Sequence, residues 1–128
     1  MGGVATISKL TYTPHLEVKG TCSLSGSLKV SGAKNSALVL MAASLLTKES
    51  LQIKNIPSLT DIDVMRSILL KMGVKIKRQA NTLHINPENL YHFSPPRKLV
   101  HSLRASFFCI GPLLARLGKA KIPLPGGC

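Results

Sequence analysis

Apolar residues along this 128-residue chain change their spacing several times, and that alternation limits the fold more than any other feature. Leu16-Glu17-Val18-Lys19-Gly20 and Ser27-Leu28-Lys29-Val30-Ser31 alternate apolar and polar, the spacing of a half-buried strand. Turn formers from Ser23 to Gly26 lie between them, so the two are read as a hairpin behind a pattern-free tail over 1–14. From Asn35 to about Lys48 the spacing becomes helical, with Leu38, Met41, Ala42, Leu45 and Leu46 on one face. Leu51 to Ile56 returns to period two, and Pro57 ends it.

Thr60 followed by Asp63 is a capping-box pattern opening a helix that carries Ile62, Met65, Leu69 and Met72, closed by Gly73. Val74–Lys77 and Thr82–Ile85 are strands around a turn at Ala80-Asn81. Ser94 before Pro95 and Pro96 starts a helix predicted to run to Leu117, kinked at Gly111-Pro112 and stopped by Gly118. Lys119–Leu124 is read as a last strand. The order is mixed α/β, one βαβαββ grouping plus the start of a second.

Composition narrows the partners. Seventeen Lys and Arg against five acids give a formal charge of +12, which favours an anionic partner. The basic residues are dispersed, with no Arg-Gly-Gly tract, zinc-finger spacing or aromatic-rich ribonucleoprotein motif, so nucleic acid is not the expected partner. Aromatics are 4% with no Trp, so the core rests on Leu, Ile, Val, Ala and Met. Cys22, Cys109 and Cys128 form no CxxC pair, which fits a reducing, cytoplasmic compartment. The histidines show no metal spacing, and no metal or cofactor is expected. No apolar run is long enough to span a bilayer, the best being Phe107–Ala115 between Arg104 and Arg116.

Three segments look chemical. Ser31-Gly32-Ala33-Lys34-Asn35 places an ammonium and an amide where a glycine turn meets a helix start, a favourable place for an anion. By residue type alone Lys34 reads as an ordinary solvated lysine, and Asn35 as an N-cap. Leu103-Arg104-Ala105-Ser106 puts a guanidinium in an apolar helical pattern, where burial demands a partner such as a carboxylate or phosphate, or a structural salt bridge. Leu124-Pro125-Gly126-Gly127-Cys128 reads as the middle of a loop presenting a thiol, so the sequence looks cut at a catalytic position.

In this order and spacing, the three segments resemble the amino-terminal part of the UDP-N-acetylglucosamine enolpyruvyl transferase family, from about Leu16 to Cys128. The resemblance implies that family's inside-out α/β barrel of two domains, each of three βαβαββ units. Residues 1–33 would then be a tail and hairpin completing the other domain, and 34–128 an incomplete α/β domain. It implies transfer of the enolpyruvyl group of phosphoenolpyruvate to the 3′-hydroxyl of UDP-N-acetylglucosamine, the first committed step of peptidoglycan synthesis. Lys34 and Arg104 would bind phosphoenolpyruvate, Asn35 the UDP-sugar, and Cys128 would be the general acid and covalent residue, the target of fosfomycin. Phe108 is a candidate substrate contact. Arg116 is read as surface or structural, and Cys22 and Cys109 as packing residues. The family's general base and further binding residues would lie beyond position 128, so the chain alone is expected to be inactive. Two alternatives stay open: the shikimate-pathway enolpyruvyl transferase, whose lysine motif reads closer to Gly-Ser-Lys-Ser, and a non-catalytic basic anion-binding module.

Overall fold

A computed structural model describes residues 6–8, 15–20, 23 and 25–124. The chain divides into two compact units, Met1–Val30 and Ser31–Cys128.

In the first unit, β1 (Thr6–Ser8) pairs antiparallel with β2 (His15–Glu17), Ile7 opposite Leu16. The strand around Leu16 therefore finds its partner in the segment read as a tail, not in 27–31. Residues 27–30 form no strand, and Leu28 and Val30 are 90% and 79% exposed. Alternation describes what a strand buries once paired, but it does not choose the partner. The remainder of 1–14, and Cys22, lie outside the described residues.

The second unit is built on a three-stranded antiparallel sheet. Its strands are β3 (Leu51–Ile53), β4 (Lys75–Gln79) and β5 (Thr82–Asn86), in the order β3-β5-β4. Period two sorts the side chains. Ile53, Ile76, Leu83 and Ile85 are buried on the inner face. Gln52, His84 and Lys77 lie in register across the opposite face. The β4–β5 turn falls at Ala80-Asn81 as read, with Ala80 at φ 49°. β3 is shorter than expected because the chain turns at Asn55, φ 58°. Ile56 is nonetheless buried, and its N–H donates to the Asn81 carbonyl at 2.8 Å.

Two helices supply the apolar layer: α1 (Lys34–Ala43), extended by a 3-10 turn Ser44–Leu46, and α2 (Thr60–Lys71). On α1 and its extension, Leu38, Met41, Ala42 and Leu45 are buried as their spacing predicts, but Leu46 is 57% exposed, because the tighter turn rotates it off the face. On α2, Ile62, Met65, Ile68 and Leu69 are fully buried. The expected capping box does not form. Leu59 is the N-cap residue, with no side-chain cap, and the Asp63 carboxylate instead lies 3.7 Å from Arg78 Nη1. The other end of α2 closes as read. Gly73, φ 99°, allows its own N–H to reach Leu70 O and the Val74 N–H to reach Leu69 O, each at 3.1 Å, a Schellman pair.

The predicted long third helix is three pieces: α3 (Arg97–His101), a 3-10 helix Arg104–Cys109, and α4 (Ile110–Leu117). The break falls at Leu103, which is extended (φ −143°, ψ 103°) and 5% exposed, rather than at Pro112. Pro112 is the third residue of α4, within the first turn, where a missing N–H costs little. Gly118 ends α4 as read, its N–H on Leu114 O at 3.0 Å. Residues 119–124 are not a strand. Their described backbone tie is Lys121 N–H to Phe93 O at 2.9 Å, while Ala120 and Ile122 pack against the core.

Arg116 is structural. Its Nη1 donates to Leu45 O at 3.2 Å and Thr47 O at 2.6 Å, at the end of the first helical layer, and Nη2 donates to Glu88 O at 3.3 Å, just after β5. Arg116→Ala orphans these carbonyls and should cost about 2 kcal/mol in urea unfolding, with little change in slope. Cys109 is fully buried, and burial pushes its thiol from 9.0 up to about 12. A thiol raised in the folded state stays protonated there while the unfolded chain ionises, so stability is lost as pH rises from about 9 towards 12. Cys109→Ala should flatten that alkaline loss by up to about 1.4 kcal/mol per pH unit, read from unfolding midpoints at successive pH values.

Candidate active site

The Gly32-Ala33-Lys34-Asn35 segment enters α1 through a close backbone approach. A Cβ built on Gly32 would lie 1.7 Å from the Asn55 carbonyl oxygen, so only glycine lets 31–33 rest against the β3–α2 connection. Ala33 is the N-cap residue (φ −75°, ψ 124°) and makes no side-chain cap; the first helical bond runs from Ala37 N–H to Ala33 O at 3.1 Å. Asn35 is therefore the second residue of α1, not its cap. Lys34, Asn35 and Ser36 are all exposed. A ten-residue helix thus begins with no acid in its first turn and an ammonium on its first residue. Unpaired N–H groups and the positive end of the helix dipole favour anions at such an end.

Lys34 is not left to solvent. Its Nζ donates to Asp61 Oδ2 at 2.7 Å, linking the first residue of α1 to the first turn of α2. The side chains of Lys34 and Asp61 keep 44% and 36% of their exposure. Asp61 has no distinguishing mark in the sequence. In one dimension it is one of two acids in α2's first turn, where acids are ordinary, and nothing separates it from Asp63.

Arg104 opens the 3-10 helix, which packs against α1. The reading of a buried guanidinium is corrected: Arg104 is exposed. The neighbouring apolar residues do not enclose it, because the helix is broken at Leu103, and Phe107 and Phe108 are themselves 49% and 52% exposed. Phe108 is on the surface of the same short helix. Lys34, Asn35, Arg104 and Phe108 thus come from two elements in contact within one unit. Cys128, with Pro125, Gly126 and Gly127, lies outside the described residues.

Lys34, Asn35, Arg104 and Phe108 are each exposed. A depression of about 540 Å³ on the outer face of the sheet, around Lys75, Lys77 and His84, does not include them, nor does one of about 470 Å³ beside α1 and β3. Gly32→Ala should force the 31–33 backbone away from Asn55, costing about 1–3 kcal/mol by thermal unfolding and shifting the Lys34 and Asn35 amide resonances more than those of α4.

Comparison with known proteins identifies the family. The family EPSP synthase (3-phosphoshikimate 1-carboxyvinyltransferase) matches residues 18–128. The UDP-N-acetylglucosamine 1-carboxyvinyltransferase of Prochlorococcus marinus (strain NATL1A) is 62% identical over 128 residues, the whole of this chain and 28% of that protein. The like-named protein of Prochlorococcus marinus (strain MIT 9313) is 55% identical over the same length, 30% of that protein. The chain thus spans less than a third of the length of these curated relatives. In the crystal structure of the enolpyruvyl transferase NikO from Streptomyces tendae, a segment superposes with a TM-score of 0.68 at 24% identity, over 76% of this chain and 23% of that one, a likeness of fold. With the family matched over all but the first residues, and that fold shared, this chain belongs to the EPSP synthase family of carboxyvinyltransferases.

Proposed function

We propose that the chain serves the transfer of the enolpyruvyl group of phosphoenolpyruvate to the 3′-hydroxyl of UDP-N-acetylglucosamine, releasing phosphate. This is the first committed step of peptidoglycan synthesis, and through the cell wall it bears on cell shape and division. The carrying observation is Lys34 on the uncapped first turn of α1, within Ser-Gly-Ala-Lys-Asn. The names of relatives 55–62% identical over the whole chain support the choice of acceptor over shikimate 3-phosphate.

In this reading Lys34 and Arg104 hold the charged groups of phosphoenolpyruvate, and Asn35 uses its amide on the UDP-sugar. A guanidinium offers paired donors to a carboxylate or phosphate, and an ammonium offers a point charge. Cys128 protonates the vinyl carbon, so that C2 becomes electrophilic. The sugar hydroxyl adds there, losing its proton to a base. Departure of phosphate with loss of a proton from the methyl carbon then restores the double bond. Cys128 is also the proposed fosfomycin-reactive thiol; the thiolate is the reactive form, and cations binding the same substrate would favour it. Residues 1–33 would complete a second domain and 34–128 would be part of the first, with the reaction in the cytoplasm. The general base and remaining walls of the site would come from sequence that the relatives carry beyond the matched region.

The 128-residue chain alone should release no phosphate from the two substrates. In a chimera, it replaces the matching segment of the Prochlorococcus marinus NATL1A protein. That chimera should release phosphate only when both substrates are supplied. Lys34→Ala should lower the rate at least about 100-fold, the scale on which loss of one preorganised charge acts. Fosfomycin should add its mass at Cys128 and not in Cys128→Asp. An inactive chimera, or one that prefers shikimate 3-phosphate, would overturn the assignment.

A further inference from the structure

The contact between α1 and α2 carries a second role for an acid. We propose that Asp61 is a positioning residue for Lys34, fixing the direction in which the ammonium meets an anionic ligand. The relevance of this to phosphoenolpyruvate rests on the function proposed above.

Lys34 sits where a cation is least at ease, on the first residue of a helix whose dipole already presents positive charge. Unpaired, a lysine there would sample many rotamers in water. Asp61 Oδ2 takes its Nζ at 2.7 Å. The carboxylate is itself favourably placed, on the second residue of α2, where a helix welcomes an acid. The backbone of the lysine segment is fixed by the same stretch of chain, because Gly32 lies against Asn55. One connection, residues 55–61, therefore locates both the backbone and the tip of Lys34.

A half-exposed pair of this kind adds little to folding, so its consequence is orientation rather than stability. Asp63, two residues on, provides the contrast. It faces Arg78, at 3.7 Å, and does not touch Lys34. Two effects of Asp61 on an arriving anion oppose each other. Its charge repels the ligand, a repulsion that the high dielectric of water weakens at these exposures but does not remove. Its grip removes freedom that Lys34 would otherwise lose on binding. The second effect wins when the lysine is otherwise loose, as it is on an open helix end.

The test uses the full 128-residue chain with lysine labelled at Cε, the Lys34 signal assigned by its loss in Lys34→Arg. In Asp61→Asn the relaxation-derived order of Lys34 Cε should fall. It should recover in Asp61→Glu and stay unchanged in Asp63→Asn, which removes the same charge. Phosphoenolpyruvate, titrated against the Asn35 amide resonance, should bind about fivefold more weakly to Asp61→Asn and within about twofold of normal to the other two variants. Unchanged Lys34 order in Asp61→Asn, or equal or tighter binding by it, overturns the proposal. If the unaltered chain shows no Lys34-dependent binding of phosphoenolpyruvate, the order measurement by itself decides whether Asp61 holds Lys34, and the chimera described above decides the functional reading.

Discussion

The second unit depends on the burial of two helices against one face of a three-stranded sheet. Ile62, Met65, Ile68 and Leu69 from α2 and Met41 and Leu45 from the first helical layer are almost wholly withdrawn from water. They meet Leu83 and Ile85 of the central strand. Each such side chain contributes about 1.5–3 kcal/mol on transfer from water, and no ring takes part in the buried cluster. Flexible methionines and branched aliphatics close the gaps that aromatics fill elsewhere. Everything at the candidate site hangs on this packing. It sets α1 beside α2, and so brings the glycine-turn lysine to the acid on the neighbouring helix.

How much was legible in the sequence depended on whether the signal was local. The faces of α1 and α2, the two long strands with their turn and the glycine-closed helix ends were all visible, because periodicity and backbone preference act within a few residues. The failures share a cause. The partner of the strand around Leu16 was misassigned, since pairing is decided by tertiary context. Residues 97–117 read as one helix because their composition suits one, yet burying Leu103 in extended conformation divided them. Thr60 and Asp63 matched a capping pattern, but Asp63 lies beside a cation from β4 instead.

The candidate site was legible as motifs and not as geometry. Lys34 and Asn35 could be placed at a helix start from the glycine before them. The environment of Arg104 could not: apolar neighbours in sequence are not apolar walls in space. Asp61 left no one-dimensional trace, because a carboxylate in a helix's first turn is ordinary and its reach across 27 positions is set by how the helices stack. Spacing finds groups that act through their own segment. It misses those that act on another.

The sheet has one further consequence. In the order β3-β5-β4 the two outer strands each present a margin of backbone that, within the described residues, no further strand covers. Such margins invite stacking of one molecule on another into fibrils. Here the longer of the two, β4, carries ammonium groups at Lys75 and Lys77 on its solvent side, and the other is only three residues long. Mutual repulsion on one rim and brevity on the other act as gatekeepers. Part of the basic charge that looks suited to gripping anions therefore lies on a sheet margin, where like charges oppose such stacking.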